Sequence, residues 1–314
     1  MYLILGSEID PCCAQVSLEL KKRGYEVHFM DGLFSEPQRF MWRFAGRGSL
    51  RKGNSRIGVK GEWEADSSDV KGVLVREMGL RAMHDWSEKD GQYMSAEMMA
   101  ALLGWLWSLP GTVVNRIPAW LFYRPRPSFL FWMPFLRDAG LQSFSRVISN
   151  DVGRLKDWRV GHPEGTVFTP MLGDSHFKVQ TDAEWNGVLR VANHTPIQLE
   201  EPHGAPLLAC VVGDCVVWEG DAPEHARTME RALIRFAKAA GMSFVQIAVA
   251  EQGQGAGYAV ADVEPYANFA RFGIKAQKLI VDGLVDLLTG ANSNADAHEN
   301  MAVEMAAIGG KGAR

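Results

Sequence analysis

Tyr2–Leu5 is a short, continuous apolar run and predicts a buried strand. Val16, Leu18 and Leu20, set among polar residues and followed by Gly24, predict a helix over 11–23. Tyr25–Met30 alternates and predicts a second strand, so the chain opens as a βαβ unit. Further strands are expected over Ile57–Trp63 and Val70–Glu77, the second closing on an Arg76-Glu77 pair. Met98, Met99, Leu102, Leu103 and Leu106 recur at helical spacing and predict a helix over 94–109, stopped by Pro110-Gly111. Thr112–Asn115 reads as a short strand, Phe129–Ala139 as a helix ended by Gly140, and Val147–Asp151 as another strand end.

From residue 165 the pattern becomes antiparallel. Short alternating strands are expected over 166–170, 176–180, 196–200, 206–212 and 215–218, with Gly213-Asp214 as a hairpin turn. Met229, Leu233, Phe236 and Ala240 share one face of a helix over 224–240, which Gly241 caps. Two apolar strands then flank a glycine-rich turn at Gly253, Gly255 and Gly257, and a final helix is expected over 274–288. Residues 290–314 read as a weakly ordered tail.

The chain has 314 residues, 47% of them hydrophobic and 22% charged, enough for two domains or one subdivided domain. A net charge of −4 argues against a non-specific nucleic-acid binder. The basic stretch Arg39, Arg43, Arg47, Arg51, Lys52 and Arg56 reads first as a solvated loop and second as a cradle for an acidic partner. The longest apolar region, Trp120–Leu136, is interrupted by Arg124, Pro125, Arg126, Pro127 and Pro134, so no membrane span is expected. Met1-Tyr-Leu-Ile-Leu is followed at once by Gly6-Ser-Glu, which predicts no signal peptide, and the four cysteines fit neither a zinc nor a disulfide framework. A reducing cytoplasm is the expected location.

The candidate chemistry gathers at the end of the last hairpin. Asp262 and Glu264 stand two apart on a strand, so both project to one face, and Asn268 follows within reach. Paired carboxylates with an amide oxygen can hold a hard cation; solvated acids at a hairpin end are the plainer alternative. Other sites are disfavoured by spacing. The first turn, Gly6-Ser-Glu-Ile-Asp-Pro, is not a dinucleotide loop, the eight histidines include no H-x-x-x-H pair, and Ser7 lies in no nucleophile elbow. Cys12-Cys13 at a helix start reads either as thiols of lowered pKa or, more simply, as small residues opening a helix. His203 near Glu200 and Glu201 reads as a loop residue or a pocket residue. Trp120, Phe122, Tyr123 and Trp132 suit core packing better than stacking on a flat ligand.

Taken in order, these elements resemble the ATP-grasp proteins over residues 1–288, most of all their RimK-type glutamate-ligase and grasp-with-spasm branches. The residues that carry the resemblance are Val73-Leu-Val-Arg76, Val114-Asn115 with Pro118, the Phe129–Gly140 helix, and Val147-Ile-Ser-Asn-Asp151. They continue with Gln198, Gly204–Gly213, Gly241-Met-Ser-Phe-Val-Gln246 and Asp262-Val-Glu264-Pro-Tyr-Ala-Asn268. The resemblance implies an α/β chain with a βαβ pre-grasp domain over 1–115, a central subdomain over 116–195, and a C-terminal antiparallel subdomain with the metal hairpin over 196–289. It implies ATP and magnesium as cofactors, with Asp262, Glu264 and Asn268 at the metal and Gln198, Glu200, Glu201 and Thr169 around the nucleotide. It also implies a small-molecule or cofactor-precursor substrate and allows a homodimer.

Several positions depart from the family pattern. Thr169 stands where a phosphate-holding lysine is usual, Ser128 and Arg126 are nearest to a second one, Leu208 replaces an arginine, and Gln246 replaces an acid. Arg124, Arg126, Lys156, Arg159 and Lys178 are candidate replacement cations, with Arg126 and Lys178 taken as the catalytic pair. Two functions follow. One is a carboxylate–amine ligase working through an acyl phosphate; the other is an ATP-grasp-shaped protein that binds or converts a cofactor without ATP. A weaker resemblance, to the ATP-grasp proteins of tetrahydromethanopterin one-carbon gene clusters in methylotrophs, implies a pterin- or furan-type carrier as ligand.

Overall fold

In a computed structural model, residues 1–32, 39–44, 55–76, 87–116, 127–171, 176–252 and 257–291 are described. Strand β1 (Tyr2–Leu5), helix α1 (Pro11–Lys22) and strand β2 (Val27–Phe29) form the opening βαβ unit. Asp10 caps α1, its carboxylate accepting from the Cys12 amide at 2.8 Å. Strands β3 (Phe40–Phe44), β4 (Ser55–Val59) and β5 (Trp63–Asp66) make a small antiparallel sheet. The single strand expected over Ile57–Trp63 is thus a hairpin. Gly61, at φ 79°, turns the chain between β4 and β5, a conformation that costs glycine nothing.

Strand β6 (Gly72–Val75), helix α2 (Glu88–Ser108) and strand β7 (Thr112–Val114) complete a parallel sheet of order β2-β1-β6-β7. Both of its faces are covered, as a parallel sheet requires. Leu3, Leu5, Val73 and Val75 pack with Met99, Leu102 and Trp105 of α2. The alternate residues Tyr2, Ile4 and Leu74 face the core shared with α1 and the last helix. Arg116, just past β7, donates to the carbonyls of Leu106, Trp107, Leu109 and Gly111, satisfying the open end of α2.

Helix α3 (Phe129–Asp138) leads to the central layer: β8 (Arg146–Ser149), α4 (Val152–Gly161), β9 (Thr166–Thr169), β10 (Phe177–Val179), α5 (Asp182–Ala192) and β11 (Ile197–Glu200). Its four strands form an antiparallel sheet of order β10-β9-β11-β8 over Leu155, Trp185, Val188 and Leu199. The pattern reading missed α4 and α5. Thr181 and Glu184 form a reciprocal capping box at α5, a start signal legible in the sequence.

The last layer runs β12 (Leu207–Val212), β13 (Cys215–Trp218), α6 (Glu224–Arg227), α7 (Glu230–Ala239), β14 (Phe244–Glu251), β15 (Tyr258–Glu264) and α8 (Ile274–Thr289). The one helix expected over 224–240 is broken in two at Thr228-Met229. The sheet order is β13-β12-β14-β15, with Gly213 at φ 58° in the tight β12–β13 turn. Val245, Ile247 and Val249 face α3 and α7, where Trp132 packs at 5.9 Å on Phe236. Phe244, Ala248 and Ala250 face the opposite core.

The expectations for Arg47, Arg51, Lys52, Glu77, Trp120, Phe122, Tyr123, Gly253, Gly255 and nearly all of the 290–314 tail lie outside the described residues. Among those described, no helix is long and apolar enough to cross a membrane. Where β6 and β7 approach, a Cβ on Gly111 would be driven into the backbone of Val70 and Lys71. Gly111→Ala is therefore expected to cost about 2 kcal/mol by overpacking. The loss should appear as a lower denaturant midpoint with an unchanged m-value.

Candidate functional site

The site lies between the central sheet and the last sheet. A cavity of 330 Å³ opens there, lined among others by Lys178 on β10, Gln246 on β14, Asp262 and Glu264 on β15, and Asn268 and Arg271 just beyond. A narrower recess joins it at Asp262 and His176, lined by Phe129, Arg146, Thr169, Gln198 and Glu200.

The acids reach the cavity through a β-bulge. Ala248 pairs with Asp262 but Val249 pairs with Val260, so Ala261 is an extra residue on β15. Before it, Val260 points to the α7 core while Ala259 and Ala261 point the other way. After it, Val263 points to the α7 core, and Asp262 and Glu264 line the cavity. Without the bulge Asp262 would share the face of Val260, inside an apolar core. Glu264 Oε1 accepts from the Tyr266 amide at 3.3 Å, and the Asn268 amide donates to Gln246 Oε1 at 3.0 Å. Gln246 is buried and ties down the loop that carries Asn268.

Among the nucleotide candidates, Glu200 is already engaged. Its side chain is 1% exposed and pairs with Arg146 Nε at 2.8 Å, the residue opposite it in the β8–β11 register. Thr169 Oγ1 donates to the other carboxylate oxygen at 3.0 Å, and His176 Nδ1 lies 3.2 Å from it. Burial pushes the Glu200 carboxyl up, but the bonds from His176, Arg146 and Thr169 outweigh it and hold the group below its ordinary value. Burial likewise lowers the Arg146 pKa, opposed by Glu200, Asp262 and Glu201. Being an arginine, it keeps its charge.

Arg146 also donates through Nη2 to the Ala261 carbonyl, and its guanidinium lies 3.4 Å from the centre of the Phe129 ring. Glu201 is tied back to the strand as well, accepting from the Ser145 amide at 3.2 Å.

Thr169 thus offers no cation to a phosphate; it belongs to the Glu200 network. Gln198 is 2% exposed, and among the described residues neither its Oε1 nor the buried Arg146 Nη1 has a partner. One orphaned acceptor and one orphaned donor in the same recess fit a polar ligand edge that offers both.

Lys178 and Arg271 are exposed cations on the same cavity as the acids. Arg271, three residues past Asn268, escaped the sequence reading, as did Arg146. Arg146 carries a weak signal, a lone cation opening an apolar strand, that gains meaning only once Glu200 is known to lie opposite. Of the other candidate cations, Arg159 pairs with Asp182 at 2.7 Å on the outer side of the central layer, and Lys156 sits on the exposed face of α4. Arg124 and Arg126 lie outside the described residues. His203 lines the cavity and packs against Phe144 with ring centres 4.8 Å apart and the planes tilted by 35°. Cys12 and Cys13 are fully buried, and burial raises Cys12 to about 12, which removes the reactive-thiol reading.

A βαβ layer followed by two antiparallel sheets that face each other across a cleft defines the ATP-grasp fold, and solved structures agree. The macrocyclase MdnC, bound with its precursor peptide MdnA, from Microcystis aeruginosa, superposes with a TM-score of 0.74 at 17% identity, over 93% of this chain and 100% of that one. The ATP-grasp ligase PsnB, complexed with a minimal precursor, Mg and ADP, gives 0.69 at 20% identity over 91% and 98%. A RimK domain ATP-grasp protein from Sphaerobacter thermophilus gives 0.56 at 14% identity over 91% and 98%. No family profile and no curated protein sequence matches the chain. At these identities the likeness is one of fold: the chain has the ATP-grasp fold.

Glu200→Gln leaves the Arg146 charge buried without its counter-charge, which is expected to cost about 3 kcal/mol. Because the folded-state pKa of Glu200 is depressed, the wild type holds this contribution above the ordinary carboxyl value of 4.5 and loses it as pH falls through the lower folded value. Urea midpoints measured from pH 7 down to pH 3 should show that slope in the wild type and a shallower one in Glu200→Gln.

Proposed function

We propose that this protein is an ATP- and magnesium-dependent carboxylate–amine ligase. The observation that carries the reading is the convergence of Asp262, Glu264 and Asn268 with Lys178 and Arg271 on one cavity between the two antiparallel sheets. Two carboxylates suit a magnesium ion that takes its remaining ligands from phosphate oxygens and water. Among the described residues no third acid, histidine or cysteine joins them as a closed cage. Bound there, the metal would neutralise charge on the transferring phosphoryl group. Lys178 and Arg271 stand in place of the missing phosphate lysines and spread the same charge. The orphaned Gln198 Oε1 and Arg146 Nη1 suit the donor and acceptor edge of a purine base.

In the reaction, a substrate carboxylate oxygen attacks the γ-phosphorus and ADP leaves. An amine then adds to the acyl carbon, inorganic phosphate departs, and the amine proton passes to solvent or a nearby base. For the carboxylate donor we propose a small molecule or cofactor precursor of the pterin- or furan-carrier type, a choice that rests on sequence resemblance. A carboxylate-bearing peptide is the competing donor, supported by MdnC and PsnB, whose structures hold precursor peptides.

A second reading, a cleft that binds a cofactor without nucleotide, is favoured by one observation: Thr169 and Glu200 are committed to an internal network instead of facing a phosphate.

Calorimetric titration separates the two. The ligase reading expects magnesium-dependent ATP binding at micromolar concentration, abolished in Asp262→Asn/Glu264→Gln. Lys178→Ala and Arg271→Ala should each lower turnover by about 100-fold, the scale of losing one charge-stabilising donor. Absence of binding at millimolar ATP would leave the second reading standing.

A further inference from the structure

The loop Glu264–Asn268 is gripped from behind by two residues that do not line the cavity. Both stand one position past the C-terminal ends of neighbouring strands of the parallel sheet: Arg76 after β6 and Asn115 after β7.

Asn115 has φ 52°, the one positive value at a non-glycine among the described residues, in a region asparagine tolerates. Its side-chain oxygen accepts from the amides of Ser243 at 3.1 Å and Phe244 at 2.8 Å. Its side-chain nitrogen donates to the carbonyls of Phe244 and Pro265, the latter at 3.4 Å. These contacts use the full capacity of the amide.

Arg76, 11% exposed, donates through Nη1 to the Ala267 carbonyl at 3.0 Å and through Nε to Asp10 at 3.0 Å. Its guanidinium lies 5.6 Å from the Phe244 ring centre. Asp10 is itself fixed as the cap of α1.

Two alternate carbonyls of the loop, Pro265 and Ala267, are thus pinned by the first domain. The residues on either side of them are those that present the Glu264 carboxylate and Asn268 to the cavity. Within the loop itself the Tyr266 amide bond to Glu264, the Asn268 amide bond to Gln246 and the Arg271 amide bond to the Asn268 carbonyl add local restraint. A shift of about 1 Å in such ligands is enough to cost on the order of 100-fold in rate.

We propose that Asn115 and Arg76 are positioning residues, through which the parallel sheet sets the placement of Glu264 and Asn268. The functional half of this statement rests on the ligase reading; the mechanical half does not.

The test uses the full chain with Asn115→Asp, which keeps both acceptor contacts but has no donor for the Phe244 and Pro265 carbonyls, and Arg76→Lys, which keeps a charge beside Asp10 but loses the fork that reaches Ala267. Hydrogen–deuterium exchange is read at the Tyr266 and Asn268 amides against the Val245–Val249 amides of β14. The expected result is at least 10-fold faster exchange in the loop with β14 unchanged. Unchanged loop exchange, or loss of protection in loop and β14 together, would overturn the proposal. If Asn115→Asp does not fold, Arg76→Lys decides by the same criterion.

Titration of ADP with Mn²⁺ adds the functional arm. Affinity about 10-fold weaker in either variant supports positioning, and unchanged affinity despite a loosened loop refutes it. A wild type that binds no ADP–Mn²⁺ refutes the ligase reading and leaves the exchange result intact.

Discussion

The cleft depends on Arg146. It opens β8, sits opposite Glu200 on β11, and reaches across to the Ala261 carbonyl on β15, so one guanidinium joins the central sheet to the last one. A charge this deeply buried is tolerated only with a close counter-charge and further hydrogen bonds. Glu200 supplies the charge, and the Phe129 ring covers the guanidinium face. Thr169 and His176 then occupy the remaining carboxylate oxygen, which draws β9 and the start of β10 into the same arrangement. The network closes the inner end of the cleft and leaves its outer end to the acids of β15 and the cations Lys178 and Arg271.

Holding such a cleft open needs support from outside it. The last sheet is sandwiched between α3 and α7 on one side and α8, α1 and the parallel sheet on the other. Its apolar faces are set by strict alternation along β14. The polar residues that escape this alternation are the informative ones. Gln246 is buried and binds the loop amide of Asn268, and Asn115 ties the edge of β7 to the start of β14. Each is a buried amide bonded to backbone, the arrangement a folded core demands of such groups.

Much of the fold was legible. A continuous apolar run marked β1, and alternation marked β2 and most of the antiparallel strands. A glycine or proline stopped most helices where it was expected to. The misses have local causes. α4 carries too few apolar positions to show a helical stripe; α5 does show one, in Trp185, Val188 and Ala192 beside its capping box, and was legible. Gly61 inside an apparent strand was the turn of a hairpin, and Thr228-Met229 broke what read as one amphipathic helix.

The candidate site divides in the same way. The sequence by itself determined that Asp262 and Glu264 share a face, because side chains two apart on a strand always do. It did not determine which face the acids share, since that turns on one extra residue, Ala261, whose insertion is decided by how β14 and β15 pair. Nor did it show that Glu200 is spent on Arg146, that Arg271 joins the cavity, or that Asn115 and Arg76 hold the loop. Those contacts join residues more than fifty positions apart in three of the four cases, and the fourth depends on the turn after Asn268. Pairing at that separation is set by the register and packing of whole sheets, which no local spacing encodes.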